Sequence, residues 1–200
     1  MLRKILPILG LAVTLCVATM AQAAKPAPDF TVTDIAGKEQ ALAAYKGKIV
    51  VLEWNNPECP FVKKHYGSGN MQALQHAARA RGVVWIAVNS GAPGKQGYLT
   101  SAQAEAALKE RGAEVDAYIL DPEGKLGHVY GATTTPHMFV IDKEGNLVYS
   151  GAIDNKPTSD PADVKGAKNY VQAALDALMD GKFPVIRNVQ AYGCGVKYAD

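Results

Sequence analysis

The amino-acid sequence predicts a single α/β domain in which helices flank a mixed central β-sheet. Short apolar runs rich in β-branched residues alternate along the chain with segments of helical periodicity, a pattern typical of strands joined by helical crossovers. Further along, two strand-like runs flank residues 142–146, and this spacing predicts a β-hairpin. Crossovers followed by a hairpin would give a sheet with both parallel and antiparallel pairs.

The predicted strands are apolar runs bounded by turn residues. They comprise residues 48–54, 83–89, 118–121, 137–141 and 147–150, and residues 30–34 would add an edge strand.

The predicted helices are segments with helical spacing of apolar residues and recognisable ends. They comprise residues 60–66, residues 71–81 with Asn70 as N-cap, residues 101–111 ending at Gly112, and residues 167–179 ending at Asp180 and Gly181. Residues 182–200 have little periodicity, so we expect a C-terminal tail that packs across the domain.

The N-terminus has the features of a secretory signal peptide. Arg3 and Lys4 precede an apolar run over residues 5–18, and Ala21-Gln22-Ala23 provides a cleavage site. We expect cleavage after Ala23, which would leave residues 24–200 as one domain in the periplasm or outside the cell, with no stable membrane insertion. The alternative is that the segment remains as an uncleaved anchor.

Removal of residues 1–23 changes both the net charge and the number of cysteines. The full chain has a formal charge of +2, and the segment carries two of its basic residues and no acid, so the remaining chain is neutral. A neutral chain gives no electrostatic reason to bind nucleic acid. Of three cysteines, only Cys59 and Cys194 remain, and an oxidising compartment favours a disulfide between such a pair.

Cys59 lies where a strand is predicted to give way to a helix. A short loop separates it from Trp54, and Pro60 follows it, as suits the first turn of a helix. The helix dipole there favours a thiolate by roughly 0.3–1 kcal/mol. Lys63 and Lys64 follow about one turn later and would add positive potential. We therefore predict a redox-active thiol, the alternative being an inert buried cysteine.

Pro136 directly precedes the predicted strand 137–141, after Thr134 and Thr135. Proline cannot donate a hydrogen bond to a neighbouring strand, so its position at the start of a central strand needs a structural reason. Either it is a cis-proline beside the reactive cysteine or it is a trans-proline that only begins the strand.

The combination of these motifs resembles the redoxin, or alkyl hydroperoxide reductase/thiol-specific antioxidant, branch of the thioredoxin-fold superfamily, and within it peroxiredoxin-like proteins. The matching stretches are APDF (27–30), YKGKIVVLEW (45–54), CPFVKKHY (59–66), GATTTPHMFVIDKEGNLVYSGAIDN (131–155) and GCGVKY (193–198). The resemblance implies a thioredoxin-like fold, a cis peptide bond before Pro136 and a functional role for Cys59.

Two departures from the family pattern limit the expected chemistry. The chain has no C-x-x-C motif, because Phe61 and Val62 stand where its second half would be. It also lacks the Pro-x-x-x-Thr-x-x-Cys pattern of peroxiredoxins, since Asn56 occupies the threonine position. Classical peroxidase activity is therefore not expected, and dithiol chemistry must use Cys194 or a thiol of a partner.

The sequence thus predicts an exported thiol–disulfide oxidoreductase. Cys59 would attack a disulfide or be oxidised to sulfenic acid, and Cys194 would be the resolving thiol. Lys63 would stabilise the thiolate, while Thr135 and Pro136 would shape the docking surface. The expected partner is a protein thiol or disulfide, or a small thiol oxidant, with no bound cofactor or metal.

Two alternatives remain open from the sequence. The first is a non-catalytic binding module in which Cys59 and Cys194 form a purely structural disulfide. The second is a copper-binding protein that uses Cys59 and His65, although thioredoxin-fold copper chaperones use C-x-x-x-C.

Overall fold

The computed structural model describes residues 25–199, so the predicted signal peptide lies outside the described residues. The strands are β1 (Lys25–Pro26), β2 (Thr31–Thr33), β3 (Glu39–Ala41), β4 (Val50–Trp54), β5 (Val84–Asn89), β6 (Ala117–Leu120), β7 (Thr134–Thr135), β8 (His137–Ile141), β9 (Asn146–Gly151) and β10 (Cys194–Gly195). The α-helices are α1 (Pro60–Gly67), α2 (Asn70–Ala80), α3 (Ser101–Arg111), α4 (Lys125–Tyr130) and α5 (Tyr170–Met179). Within residues 25–199, no helix is long and apolar enough to cross a membrane.

The central sheet contains six strands in the order β1-β9-β8-β4-β5-β6. The β4, β5 and β6 strands are parallel, whereas β8 is antiparallel to both β4 and β9. This arrangement confirms the predicted mixed sheet. The parallel pairs arise because helices connect those strands, and the antiparallel pair β8–β9 arises from the predicted hairpin at residues 142–146.

Alternating side chains of the central strands bury two faces of the sheet. One face packs against α1, α2 and α5; its strand residues include Val51, Trp85, Val140 and Tyr149. The other face packs against α4 and the segment around Phe30; its strand residues include Leu52, Trp54, Ile86 and Phe139. Strands that are buried on both faces are apolar throughout, which explains why these runs could be recognised in the sequence.

Two local expectations are wrong. Residues 30–34 do not form an edge of the central sheet, because β2 pairs with β3 in a separate hairpin. The Asp34 carboxylate accepts hydrogen bonds from the backbone N–H groups of Ala36 and Lys38, and these bonds stabilise the turn between β2 and β3. The N-cap of α2 is Gly69, with a φ of 75°, rather than Asn70. Helix α4 was not predicted from the sequence.

The C-terminal segment, residues 182–199, packs across the domain as expected; we call it the tail. It first runs beside β9, where Ser150 N–H donates to Arg187 O at 3.0 Å. It then pairs with β7 through β10. Near its end, Ala92 N–H donates to Lys197 O at 2.8 Å, and the Tyr198 hydroxyl donates to Ala132 O at 2.7 Å. The tail is therefore bonded to the domain at several points between Arg187 and Tyr198.

Candidate redox site

Cys59 is the N-cap residue of α1, with φ −69° and ψ 125°, and Pro60 is the first residue of the helix. This confirms the position inferred from the sequence. The preceding loop is closed by a hydrogen bond from Cys59 N–H to Asn56 O, 3.1 Å long. The side chain of Cys59 is completely buried, with 0% of its surface exposed. Its sulfur is therefore presented at the positive end of the helix, but within the protein.

The loop that contains Pro136 lies against this sulfur. The Thr135–Pro136 peptide bond is cis, as the resemblance implied. The Thr135 carbonyl oxygen lies 3.1 Å from Cys59 Sγ and can accept a hydrogen bond from the thiol. The side-chain oxygen of Thr135, Oγ1, is buried and has no hydrogen-bond partner among the described residues. The structure thus brings Thr135 and Pro136 together with Cys59.

Cys194 reaches the site through backbone pairing of the tail. In the antiparallel pair of β10 with β7, Cys194 stands opposite Thr135 and Gly195 opposite Thr134. Gly193 has a φ of 143°, and a Cβ atom on it would lie 2.0 Å from Thr135 O. Only glycine allows the tail to approach so closely. Cys194 is half-buried, and both cysteines are free thiols in this structure.

The two thiols differ in acidity. Burial raises the pKa of Cys59, but hydrogen bonding from the Cys194 thiol and from the backbone N–H groups of Val62 and Cys194 outweighs burial and lowers it. Burial, reinforced by the neighbouring Cys59, raises the pKa of Cys194 to about 11. Cys59 is therefore the more acidic of the two thiols.

The expected role of Lys63 is not supported by the geometry. Lys63 is exposed, and it is not among the groups that shift the pKa of Cys59. Its neighbour Lys64 is the buried lysine, with 0% of its side chain exposed. Lys64 Nζ donates to Lys156 O at 2.7 Å and lies 3.9 Å from Asp154 Oδ2. Consecutive helix residues point in different directions, so only one of two adjacent lysines can face the core.

Lys64 belongs to a buried polar cluster that joins α1 to the tail. The Tyr192 hydroxyl donates to Asp154 Oδ1 at 2.5 Å, and the Tyr192 ring lies 5.5 Å from Lys64 Nζ. His65 Nε2 is 3.3 Å from the same hydroxyl. Burial lowers the pKa of His65 to about 4, with Asp154 opposing and Lys64 reinforcing the shift. This Lys64–Asp154 cluster fixes the tail two residues before Cys194. Sequence reasoning missed it, because nothing in the local pattern connects Asp154 with α1.

The copper-binding alternative is not supported by the surroundings of His65. Its Nδ1 is 2.9 Å from Asn70 Nδ2, and its Nε2 contacts Tyr192. Both ring nitrogens thus have protein partners, which leaves neither for a metal ion. Across residues 25–199 no group of three or more histidine, cysteine or acidic side chains is arranged to hold a metal.

A second buried acid, Glu53, lies on β4 six residues before Cys59 and was also missed. Its Oε1 accepts from Asn55 Nδ2 and the Tyr66 hydroxyl, at 2.6 and 2.9 Å. Its Oε2 accepts from Gln75 Nε2 and Trp85 Nε1, at 3.1 and 2.9 Å. Burial raises the pKa of Glu53, although these four bonds oppose the shift. A lone acid in the apolar run of residues 49–54 was the sequence signal that could have revealed it.

Comparison with known proteins places this geometry in a family. The model of the AhpC/TSA family matches residues 23–150, a span that contains Cys59 and Pro136 but ends before Cys194. Among curated relatives, the thiol-disulfide oxidoreductase ResA of Geobacillus thermodenitrificans is 29% identical over 60% of this chain and 64% of its own length. The chain thus spans slightly less than two thirds of that relative.

Two solved structures extend the comparison. An uncharacterized conserved protein of Geobacillus kaustophilus aligns over 90% of this chain and 94% of its own, with a TM-score of 0.73 and 25% identity. A Chlorobium tepidum protein described as a thiol:disulfide interchange protein DsbE aligns over 64% of this chain and 82% of its own, with a TM-score of 0.52 and 25% identity. The chain belongs to the AhpC/TSA family and has the thioredoxin fold.

Proposed function

We propose that this protein is an exported thiol–disulfide oxidoreductase whose redox couple is Cys59 and Cys194. The observation that carries the proposal is that Thr135 holds both cysteines: Cys194 is paired with its backbone, and the Cys59 sulfur lies 3.1 Å from its carbonyl oxygen. Cys59 is also the thiol of lower pKa. A thiolate beside a protonated thiol is a reduced form from which a disulfide closes with the loss of two electrons and one proton. The family match and the ResA relative support this class of reaction.

The reaction exchanges one disulfide for another. A partner that carries two thiols would reduce the Cys59–Cys194 disulfide, giving two protein thiols and a partner disulfide, and the reverse reaction would reduce a partner. Cys59 supplies the thiolate of the couple, because its pKa is the lower of the two. Protein thiols or small disulfides are the corresponding partners. Thr135 and Pro136 support the site by holding the backbone against which Cys194 lies.

The reduction potential of the couple tests the proposal against a structural disulfide. We expect the purified protein to equilibrate with glutathione or dithiothreitol buffers at a potential above about −300 mV, as labile disulfides do. Oxidation should remove both free thiols, whereas Cys59→Ser and Cys194→Ser should each retain one. A potential well below this value would instead favour a binding module with a structural disulfide. Two free thiols after oxidation would refute both functions.

Export rests on the sequence of residues 1–23 and is tested separately. We expect the protein isolated from its native cells to begin at residue 24 and to be recovered with the periplasmic or secreted fraction. N-terminal sequencing of that fraction checks this. Recovery of the full chain from the cytoplasm would contradict export and leave the redox proposal unaffected.

A further inference from the structure

We propose that external partners exchange with this couple through the sulfur of Cys194, and that Cys59 reacts only with Cys194. This inference rests on the proposed redox function and deepens it. It also changes the roles expected from the sequence, where Cys59 was the sulfur that meets the partner and Cys194 the thiol that resolves the complex. Three features of the site support it: the burial of Cys59, the occupation of β7 by the tail, and the acidity of the two thiols.

The sulfur of Cys59 has no path to an external partner in this conformation. Its side chain is fully buried, whereas Cys194 is only partly covered. Thr135 O lies 3.1 Å from the Cys59 sulfur, and the tail approaches the same residue with Gly193 and Cys194. Thiol–disulfide exchange requires the attacking sulfur to reach the attacked sulfur directly. With the tail in place, Cys194 is the cysteine of the pair that keeps part of its surface exposed.

The backbone beside Cys59 is also already paired. An extended partner chain could add to the exposed edge of a strand, but β10 occupies the edge of β7 at Thr135. The tail is held on both sides of Cys194. Before it, Tyr192 bonds to Asp154 within the Lys64–Asp154 cluster; after it, Tyr198 stacks on His128 with ring centroids 4.1 Å apart. A partner would have to break these contacts to reach Cys59.

Exchange at Cys194 proceeds in two steps, each of which forms one S–S bond and breaks another. A partner thiolate attacks Cys194 Sγ of the Cys59–Cys194 disulfide; a partner–Cys194 disulfide forms, and Cys59 leaves as a thiolate with the electron pair of the broken bond. A second thiol of the partner then attacks the partner sulfur, forms the partner disulfide and expels Cys194, which takes up a proton. In the opposite direction, Cys194 loses its proton and attacks a partner disulfide, which forms the mixed disulfide and expels one partner thiolate. The Cys59 thiolate then attacks Cys194 Sγ, closes the Cys59–Cys194 disulfide and expels the second partner thiolate.

The acidity of the two thiols favours this order. A thiol of lower pKa leaves faster from a disulfide, and Cys59 is the thiol whose pKa is lowered. Cys194, with a pKa of about 11, is the poorer leaving group. Attack at Cys194 therefore expels the better leaving group, whereas attack at Cys59 would expel the worse one.

Reduced glutathione provides a direct test, because it is small enough to reach partly covered sulfurs. The tail would hinder its approach to Cys59 less than it would hinder a protein partner. The oxidised protein is mixed with glutathione, quenched in acid after a short time, alkylated and mapped by peptide mass spectrometry. We expect glutathione on the Cys194 peptide in excess over the Cys59 peptide by about tenfold or more. Predominant glutathione on Cys59 would overturn the inference. So would the absence of an adduct while a reference disulfide is reduced.

Two glycine variants provide a matched control. A Cβ at Gly193 would lie 2.0 Å from Thr135 O, whereas at Gly195 the nearest atom is 4.0 Å away. Gly193→Ala should therefore lift the tail and move part of the adduct to Cys59, while Gly195→Ala should keep the wild-type distribution. If Gly193→Ala does not close its disulfide, oxidised glutathione is added to the reduced variants, and the Cys59 adduct should rise only in Gly193→Ala. If the glutathione adduct is divided between Cys59 and Cys194 in the same ratio in both variants, the inference is overturned. Two free thiols in the oxidised wild type would instead refute the proposed couple itself.

Discussion

Cys194 faces Thr135 across an antiparallel backbone pair, and the carbonyl oxygen of the same Thr135 lies 3.1 Å from the sulfur of Cys59. One residue of β7 thus holds both cysteines of the candidate couple, one through its backbone pairing and the other through its carbonyl oxygen. This relationship explains how a chain without C-x-x-C can place two thiols together. It also makes the acidity of one cysteine depend on the other.

The first prediction concerns the acidity of Cys59. In the reduced protein its pKa should lie below the reference of about 8.5, and Cys194→Ala should raise it, because the variant removes a hydrogen bond to the thiolate. The ultraviolet absorbance of the thiolate against pH measures both values. Lys63→Ala is the control and should leave the pKa of Cys59 unchanged, since Lys63 is exposed. A pKa at or above the reference would contradict the prediction.

The second prediction concerns the two adjacent lysines of α1. Lys64→Met should lower the free energy of unfolding by about 3–5 kcal/mol, because it leaves the Asp154 carboxylate buried without its cation. Lys63→Met, on the exposed side of the same helix, should change it little. Urea unfolding of the reduced proteins measures the difference. Equal effects of the two substitutions would show that the buried Lys64–Asp154 pair does not stabilise the fold.

The third prediction concerns the buried carboxylate of Glu53. At acidic pH, Glu53→Gln should lower the free energy of unfolding by about 1–3 kcal/mol. The new amide brings two N–H groups toward the four donors that surround residue 53, whereas a protonated carboxyl group brings only one O–H. The exposed Glu58→Gln is the control and should have little effect.

The contribution of Glu53 to the free energy of unfolding should also depend on pH. Burial raises its pKa, so the folded state binds this proton more tightly than the unfolded state does. The stability that Glu53 contributes is then fully present below the unfolded pKa and is lost as the pH rises through the folded pKa. Unfolding measured across this range should show the wild-type advantage over Glu53→Gln shrinking as the pH increases. An advantage that grows with pH would mean that the pKa is lowered instead.

The fourth prediction concerns hydrogen peroxide. Asn56 stands where peroxiredoxins have a threonine, and its Oδ1 already accepts Glu58 N–H at 2.9 Å. Because Cys59 is also buried, it should react with peroxide no faster than an ordinary thiolate. Stopped-flow measurements on the reduced protein check the rate, with Cys59→Ser giving the contribution of Cys194. A rate typical of a dedicated peroxidase would falsify this expectation.

The sequence by itself determined the main elements that form the site. The apolar run ending at Trp54, the loop after it and Pro60 predict a strand, a turn and a helix start, so Cys59 could be placed at the N-terminus of α1. The order of strand and helix patterns predicted the mixed sheet, whereas the cis bond before Pro136 was implied by the resemblance to the redoxin branch. The strands, the turn and the helix start follow from residues close together in the chain, where strand pattern, proline and helix capping act locally.

Only the tertiary structure decided which distant residues meet at Cys59. Cys194 stands opposite Thr135 because Gly193 lets the tail approach β7. Lys64, and not Lys63, faces the core, because Asp154 lies on that side of α1. Strand pairing across long stretches of chain and the burial of charged groups depend on how whole elements pack. No short stretch of sequence contains that information.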